Sequence, residues 1–79
     1  MKPLSRIIIE TLNNIGAINE NRALTLEEIS RETSINTKDL IDILKELRSK
    51  GYIKSTVRGG QQRYFLSPIG ILVALSSYS

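Results

Sequence analysis

Two helix-start signals lie close together in the middle of the chain. In the segment 25–28, Thr-Leu-Glu-Glu, the Thr25 hydroxyl can accept a hydrogen bond from the Glu28 amide while the Glu28 carboxylate reaches back, which makes a capping box. Asn36 is a second N-cap residue, and it predicts another helix that begins at Thr37. The sequence therefore predicts two short helices joined by a tight link.

The apolar residues after each cap recur at helical spacing. After the first cap, Leu26 and Ile29 point inward, and we expect this helix to end near Thr33. The second helix has an inward stripe of four apolar residues, Leu40, Ile43, Leu44 and Leu47. A basic last turn and a glycine cap at Lys50-Gly51 predict where it ends.

Two further helices are expected nearer the ends of the chain. Apolar residues recur at helical spacing from Leu4 to about Ile15, and Ile7 and Ile9 widen the apolar surface of this first helix. Such a wide surface indicates contact with something besides the helix's own core. A last helix over about 68–77 is apolar nearly all round.

A β-hairpin is expected between the helix pair and the last helix. Segments 52–58 and 63–66 are rich in β-branched and aromatic residues. The segment between them, Gly59-Gly60-Gln61-Gln62, can supply the positive φ angles of a hairpin loop. The expected fold class is therefore α+β and mainly α, with a three-helix core, a two-stranded hairpin and a C-terminal helix.

Composition excludes several kinds of site. The 79 residues include no cysteine and no histidine, so the commonest metal ligands, a thiol nucleophile and the commonest general base are all missing. We expect no enzyme, no metal site and no cofactor. This length gives one hydrophobic core and one expected domain, 1–79. No signal peptide is visible and the apolar run 69–75 is too short to span a membrane, so we expect a cytoplasmic protein without membrane contact.

Positive charge is concentrated in the C-terminal part of the chain. The formal net charge is +3, and the segment from residue 51 onward holds Lys54, Arg58 and Arg63 with no acidic residue. An acid-free basic hairpin is a candidate phosphate-binding surface. The alternative is an ordinary solvated hairpin whose cations discourage pairing at its edge.

Nearly the whole chain resembles a known group of proteins. Residues 25–30, 34–37 and 44–53 resemble the helix-turn-helix core of bacterial and archaeal winged-helix regulators, and Leu-Lys-Glu-Leu-Arg-Ser-Lys-Gly-Tyr-Ile at 44–53 is the most specific piece. Residues 58–70 are similar to the wing and final-helix entry of the PadR and MarR groups. The resemblance implies a winged helix-turn-helix, with the helix-turn-helix at about 25–50 and the wing at about 52–66.

The chain departs from these regulators at a few positions. Ser30 stands where they usually have alanine, and Ser34 stands where they usually have glycine. The expected recognition helix also carries Asp39 and Asp42, which repel phosphate. The geometry of the turn is therefore less well determined by the sequence than the helices are.

The resemblance implies that helix 37–50 enters the major groove of double-stranded DNA, while the 54–63 wing lies on the backbone or in the minor groove. The outward residues of this helix and the polar residues of the wing are the candidate DNA contacts: Thr37, Lys38, Ile41, Asp42, Lys45, Lys54, Arg58, Gln61, Gln62 and Arg63.

Two of these candidates have alternative roles. Ile41 either contacts a thymine methyl group or belongs to a wider core stripe. Asp42 can accept a hydrogen bond from a cytosine amino group, although a salt bridge with Lys38 or Lys45 is the favoured interpretation.

The last helix cannot hide all its apolar faces on so small a core, and we expect it to pair with the same helix of a second chain. The expected dimer contacts are Ile9, Ile69, Leu72, Val73 and Leu75. The alternative is a monomer in which this helix packs on the first helix alone.

The leading hypothesis is a homodimeric, sequence-specific transcriptional regulator that binds double-stranded DNA, and we expect it to be a repressor. The alternative is a winged-helix module that binds other proteins within a larger complex.

Overall fold

The computed structural model describes residues 3–76. Its helices are α1 (Leu4–Asn14), α2 (Leu26–Thr33), α3 (Thr37–Ser49) and α4 (Pro68–Ser76). Its strands, β1 (Leu24–Thr25), β2 (Ile53–Arg58) and β3 (Gln61–Leu66), form an antiparallel sheet in the order β1-β3-β2. A single turn of 3-10 helix spans Glu20–Arg22. The expected α+β, mainly helical order is confirmed, and residue 77, the expected end of the last helix, lies outside the described residues.

The helices α1, α2 and α3 pack together and the sheet closes one side of their core. The largest side chains that are completely buried come from all of these elements: Ile8, Leu12, Ile29, Leu40, Leu44, Ile53 and Leu66. The expected inward stripe of α3 is confirmed, with Ile43 only partly buried at its margin. Burial of each such side chain contributes about 1.5–3 kcal/mol, so these residues fix how α3 lies on the rest of the chain.

Both predicted helix caps are present. The Glu28 amide donates to the Thr25 hydroxyl at 3.2 Å, and the Thr25 amide donates to the Glu28 carboxylate at 2.9 Å. At the start of α3, the Asn36 side chain accepts from the Asp39 amide at 2.9 Å. Gly51, with a φ of 80°, follows the end of α3 as the predicted glycine cap.

The link between α2 and α3 is held by hydroxyl groups. Ser34 adopts the left-handed conformation, with a φ of 60°, where the resembled regulators usually have glycine. The Ser30 hydroxyl donates to the Ile35 carbonyl at 2.5 Å, and the Thr33 hydroxyl accepts from the Ile35 amide at 3.3 Å. These bonds offset the cost of about 1–2 kcal/mol that a left-handed non-glycine residue carries.

The sheet differs from the sequence prediction in two ways. Strand β1 was not predicted, because a two-residue strand has no visible alternation; it pairs Leu24 with Tyr64 of the central strand β3. The hairpin loop is also shorter than expected. Gly59 and Gly60, with φ of 59° and 76°, form the whole loop, so Gln61 and the residue after it belong to β3.

The start of α4 is fixed against the end of α3. Ser67 is buried, and its hydroxyl donates to the Gly51 carbonyl at 2.5 Å while accepting from the Gly70 amide at 3.0 Å. The Ser67 amide donates to the Tyr52 carbonyl at 3.0 Å. Gly70 lies so close to this carbonyl that a Cβ at position 70 would overlap its oxygen. The chain therefore requires glycine here even though the position is helical.

Gly70→Ala tests this close contact. Alanine is a better helix former than glycine by about 1 kcal/mol, so helix propensity alone would raise the free energy of unfolding. The overlap with Tyr52 instead predicts a net loss of about 1–3 kcal/mol, measured by urea or thermal unfolding. Lys45→Ala, at an exposed helical position, is the control and should change stability by less than about 0.5 kcal/mol. A Gly70→Ala protein as stable as the wild type would contradict the described packing.

Candidate nucleic-acid interface

The outer face of α3 is exposed to solvent along its length. All five helix residues that the sequence singles out lie on this exposed surface: Thr37, Lys38, Ile41, Asp42 and Lys45. Ile41 is 50% exposed, whereas the neighbouring core residue Leu40 is completely buried. This exposure does not fit the interpretation of Ile41 as part of a wider core stripe. The described part of the chain leaves this face of α3 uncovered.

Acidic residues of α3 lie together on one edge of the exposed face. With successive residues about 100° apart around a helix, Asp39, Asp42 and Glu46 fall within about 60° of one another. The opposite edge has no acid and carries four residues within about 80°: Thr37, Arg48, Ile41 and Lys45. We call these four residues the acid-free edge. Lys38 lies between the two edges.

Two of the three acidic side chains have partners within the chain. The Asp39 carboxylate accepts a hydrogen bond from the Asn36 side chain at 3.0 Å. Glu46 forms an ion pair with Lys50 at 3.3 Å. The expected salt bridge of Asp42 was wrong, because no ion pair joins Asp42 to either nearby lysine in residues 3–76. Asp42 is therefore the acid of α3 that most reduces the positive potential of this surface.

The hairpin contributes a second exposed polar surface. Lys54 and Arg58 alternate with Thr56 on one face of β2, which is an edge strand of the sheet. Gln61 and Gln62 are exposed at the start of β3. The Arg58 guanidinium donates to the Asn21 carbonyl at 3.3 Å, which ties the hairpin to the turn before β1.

Arg63 has a different position from the other basic residues of the hairpin. It lies in the central strand β3, and its Nη1 atom is 3.5 Å from both the Glu28 carboxylate and the Ala23 carbonyl. The side chain is 31% exposed. The expected contact of Arg63 with DNA stays a prediction, and its guanidinium also contacts the start of α2.

The ionisation of Glu28 depends on these contacts. The hydrogen bond from the Thr25 backbone amide lowers the pKa of Glu28 below its ordinary value of 4.5, and burial partly opposes this effect. The Thr25 side chain and the positive charge of Arg63 lower the pKa further. Glu28 is therefore a carboxylate at neutral pH that serves both the capping box of α2 and the ion pair with the sheet.

The apolar face of α4 is exposed in part. Ile69, Leu72 and Leu75 are 55%, 66% and 51% exposed, at intervals of three residues along the helix. The opposite side of α4 packs on α1, where Ala74 is completely buried. Of the other expected dimer contacts, Val73 is half-buried. The expectation for Ile9 was wrong, because it is 3% exposed and belongs to the chain's own core.

Two exposed residues of this region were missed by sequence reasoning. Arg48 lies on the acid-free edge of α3 and could have been found by placing the acids on a helical wheel. Val57 is 67% exposed on the hairpin, and strand alternation from the buried Ile53 gives no sign of this exposure. The hairpin extends beyond the core at Val57, so both of its faces meet solvent there.

We also searched residues 3–76 for a metal site, a membrane-spanning helix and a ligand-binding cleft. Across residues 3–76, no group of three acidic, cysteine or histidine residues is arranged to hold a metal ion. No helix within that range is long and apolar enough to cross a bilayer. A shallow cleft of about 250 Å³ lies between the end of α1 and α2, lined by Ile15, Leu24, Glu28, Arg31 and Glu32.

Comparison with known proteins gives a likeness of structure. No protein-family model matches the sequence, and no curated protein is significantly similar to it. The crystal structure of SSV1 F-93 superposes with a TM-score of 0.77 over 96% of this chain and 82% of F-93, at 20% sequence identity. A candidate DNA-binding protein from Ralstonia eutropha JMP134 superposes with a TM-score of 0.82 over 100% of this chain and 99% of its own, at 19% identity. The chain has a winged helix-turn-helix fold.

In the terms of this fold, α2 and α3 are the helix-turn-helix, with α3 in the place of the recognition helix, and the β2-β3 hairpin is the wing. The Arg63 to Glu28 ion pair then joins strand β3 of the wing to the first helix of the helix-turn-helix. The wing is thus attached to α2, the same helix on which the recognition helix α3 packs.

The lowered pKa of Glu28 makes the stability of the winged helix-turn-helix depend on pH. A carboxylate with a depressed folded-state pKa stabilises the fold above its ordinary value of 4.5, and this contribution is lost as the pH falls through the lower folded-state pKa. Glu28→Gln should therefore lower the free energy of unfolding at about pH 7 by about 0.5 kcal/mol, measured by thermal unfolding. This difference in stability between the variant and the wild type should narrow at about pH 3.

The matched control is Glu27→Gln, which changes an exposed carboxylate in the same helical turn. The difference in unfolding free energy between Glu27→Gln and the wild type should stay nearly constant across the same pH range. If the difference for Glu28→Gln is equally constant, the described contacts of Glu28 are contradicted.

Proposed function

We propose that this chain is a sequence-specific transcriptional regulator that binds double-stranded DNA as one winged helix-turn-helix domain. The observation that carries the proposal is the exposed outer face of α3 beside an exposed cationic hairpin. An α-helix of this kind fits the major groove, while an adjacent hairpin can reach the backbone or the minor groove. Both elements lie on a rigid core, which favours a fixed spacing between them.

Charge supports phosphate binding at this surface. The exposed cations Lys38 and Lys45 on α3, and Lys54 and Arg58 on the wing, outnumber the one acid of α3 that has no partner, Asp42. The amides of the first turn of α3 add further donors, because the first residues of a helix have no intrahelical acceptors. We propose Gln61 and Gln62 as neutral hydrogen-bond donors to the backbone or base edges beside these cations.

A homodimer is part of the proposal. The exposed residues Ile69, Leu72 and Leu75 form one apolar strip, and α4 carries no charged residue along its whole length. Such a strip meets no like-charge repulsion when it faces its own copy across a twofold axis. A twofold dimer would present two recognition helices to major grooves about 34 Å apart and would favour a nearly palindromic site.

Repression by occlusion is the regulatory mode that we propose. A repressor of this kind needs only to bind at a promoter and block access to it. In this proposal α3 and the wing bind the DNA and α4 forms the dimer. The structural likeness to a candidate DNA-binding protein from Ralstonia is consistent with the same activity.

A protein-interaction module is the second candidate function. The observation that favours it is a pair of exposed apolar side chains on the proposed DNA surface, Ile41 on α3 and Val57 on the wing, at 50% and 67% exposure. Exposed apolar residues are typical of protein contacts as well as of base contacts.

Salt dependence of binding separates the two functions. We expect the wild-type protein to bind duplex DNA with an affinity that falls steeply with salt, because phosphate contacts release counterions. Lys45→Ala and Arg58→Ala should each reduce the slope of log affinity against log salt by about one unit, measured by fluorescence anisotropy.

The matched control is Lys50→Ala, since Lys50 has the same charge but is paired with Glu46. It should change the slope by much less than either test variant. No binding at low salt would contradict the DNA-binding proposal and would favour the protein-interaction module.

Leu72→Glu tests the proposed dimer. Placing a carboxylate in the apolar strip brings two like charges together across the twofold axis, so the variant should sediment as a monomer where the wild type sediments as a dimer. Val57→Glu is the control, because Val57 is exposed to the same extent but lies on the wing. A monomeric wild type at micromolar concentration would contradict the dimer.

A further inference from the structure

The acid-free edge of α3 has an apolar residue at its centre. Around the helix, Ile41 lies between Arg48 on one side and Lys45 on the other, with Thr37 one turn earlier on the same edge. The side chain is 50% exposed although its chain neighbour Leu40 is completely buried. Half of a branched apolar side chain therefore projects from a surface that is otherwise polar.

The packing of the chain does not explain this residue. Leu40 and Leu44 already fill the core side of α3, at 0% and 1% exposure. The main helix contact of α4 is with α1, so the packing of α4 does not account for Ile41 either. Ile41 is thus available to a ligand that lies along the acid-free edge of the recognition helix.

The major groove of DNA offers one apolar group to such a side chain. Every other base-edge feature there is a hydrogen-bond donor or acceptor, whereas thymine presents a methyl group at C5. Lys45 and Arg48, which follow Ile41 along the same edge, can hold phosphates while the isoleucine faces the base edges, and no acidic residue lies on this edge to oppose that placement.

We infer that Ile41 is a specificity-determining residue that contacts the C5-methyl group of a thymine in the bound site. The inference rests on the proposed DNA-binding function and adds a base preference to it. The bound half-site contains at least one thymine opposite the first half of α3. Burying one methyl group corresponds to about a fourfold change in affinity, so removing that methyl weakens binding by about this factor.

The test begins with selection of tightly bound duplexes from a random pool by the wild-type chain, residues 1–79. The selected duplex is then made again with deoxyuridine in place of each thymine in turn, which removes the methyl group and leaves the Watson–Crick pairing unchanged. Affinities are measured for the wild type, Ile41→Ala and Ile18→Ala. Ile18→Ala is the matched control, because it shortens an exposed isoleucine, 43% exposed, that lies outside α3 and the wing.

We expect deoxyuridine at one position, or at two adjacent positions, to weaken binding by the wild type and by Ile18→Ala about fourfold and to leave binding by Ile41→Ala unchanged. Thermal unfolding of Ile41→Ala verifies that the fold is intact, and Ile41→Val, which keeps the branched carbon, should retain most of the thymine dependence.

Three results would overturn the inference. In the first, deoxyuridine weakens wild-type binding at no position. In the second, it weakens binding by Ile41→Ala and by the wild type equally. In the third, the selected sites lack thymine in the contacted half-site. Each of these results leaves salt-dependent DNA binding, and hence the proposed function, intact. Failure of the wild type to select or bind any duplex at low salt overturns both.

Discussion

The burial of three leucines on one side of α3 determines the rest of the functional surface. Leu40, Leu44 and Leu47 are 0%, 1% and 3% exposed, and at about 1.5–3 kcal/mol each their burial outweighs any single surface contact of the helix. Because these residues hold one side of α3 against α1 and α2, the opposite side must face solvent. The cations and Ile41 of the outer face are therefore displayed by packing that occurs elsewhere on the same helix.

The wing depends on a second set of contacts. Arg63 joins β3 to Glu28 at the start of α2, and Arg58 joins the hairpin to the Asn21 carbonyl. The buried hydroxyl of Ser67 fixes the exit of the hairpin against the end of α3. These contacts hold the wing beside α3 before any ligand binds, which reduces the ordering cost of binding.

Local hydrogen-bond signals in the sequence predicted most of the fold. The caps at Thr25 and Asn36 and the glycine after α3 were found because their partners lie within a few residues. The role of Arg63 could not be found in this way, because its partner Glu28 lies 35 residues away in sequence. Burial of Ile9 was missed for a related reason, since the apolar pattern of α1 does not show which of its faces another element will cover. Exposure of the outer face of α3 agrees with the candidate site, while its contacts with DNA stay a prediction.

The most direct test of DNA binding by α3 and the wing is an amide NMR titration of the folded chain with a short DNA duplex at low salt. We expect the largest chemical-shift changes in residues 37–48 and 54–62, with little change in 69–75. Changes concentrated in 69–75, or no changes at all, would contradict the claim that the outer face of α3 and the wing form the DNA-binding surface.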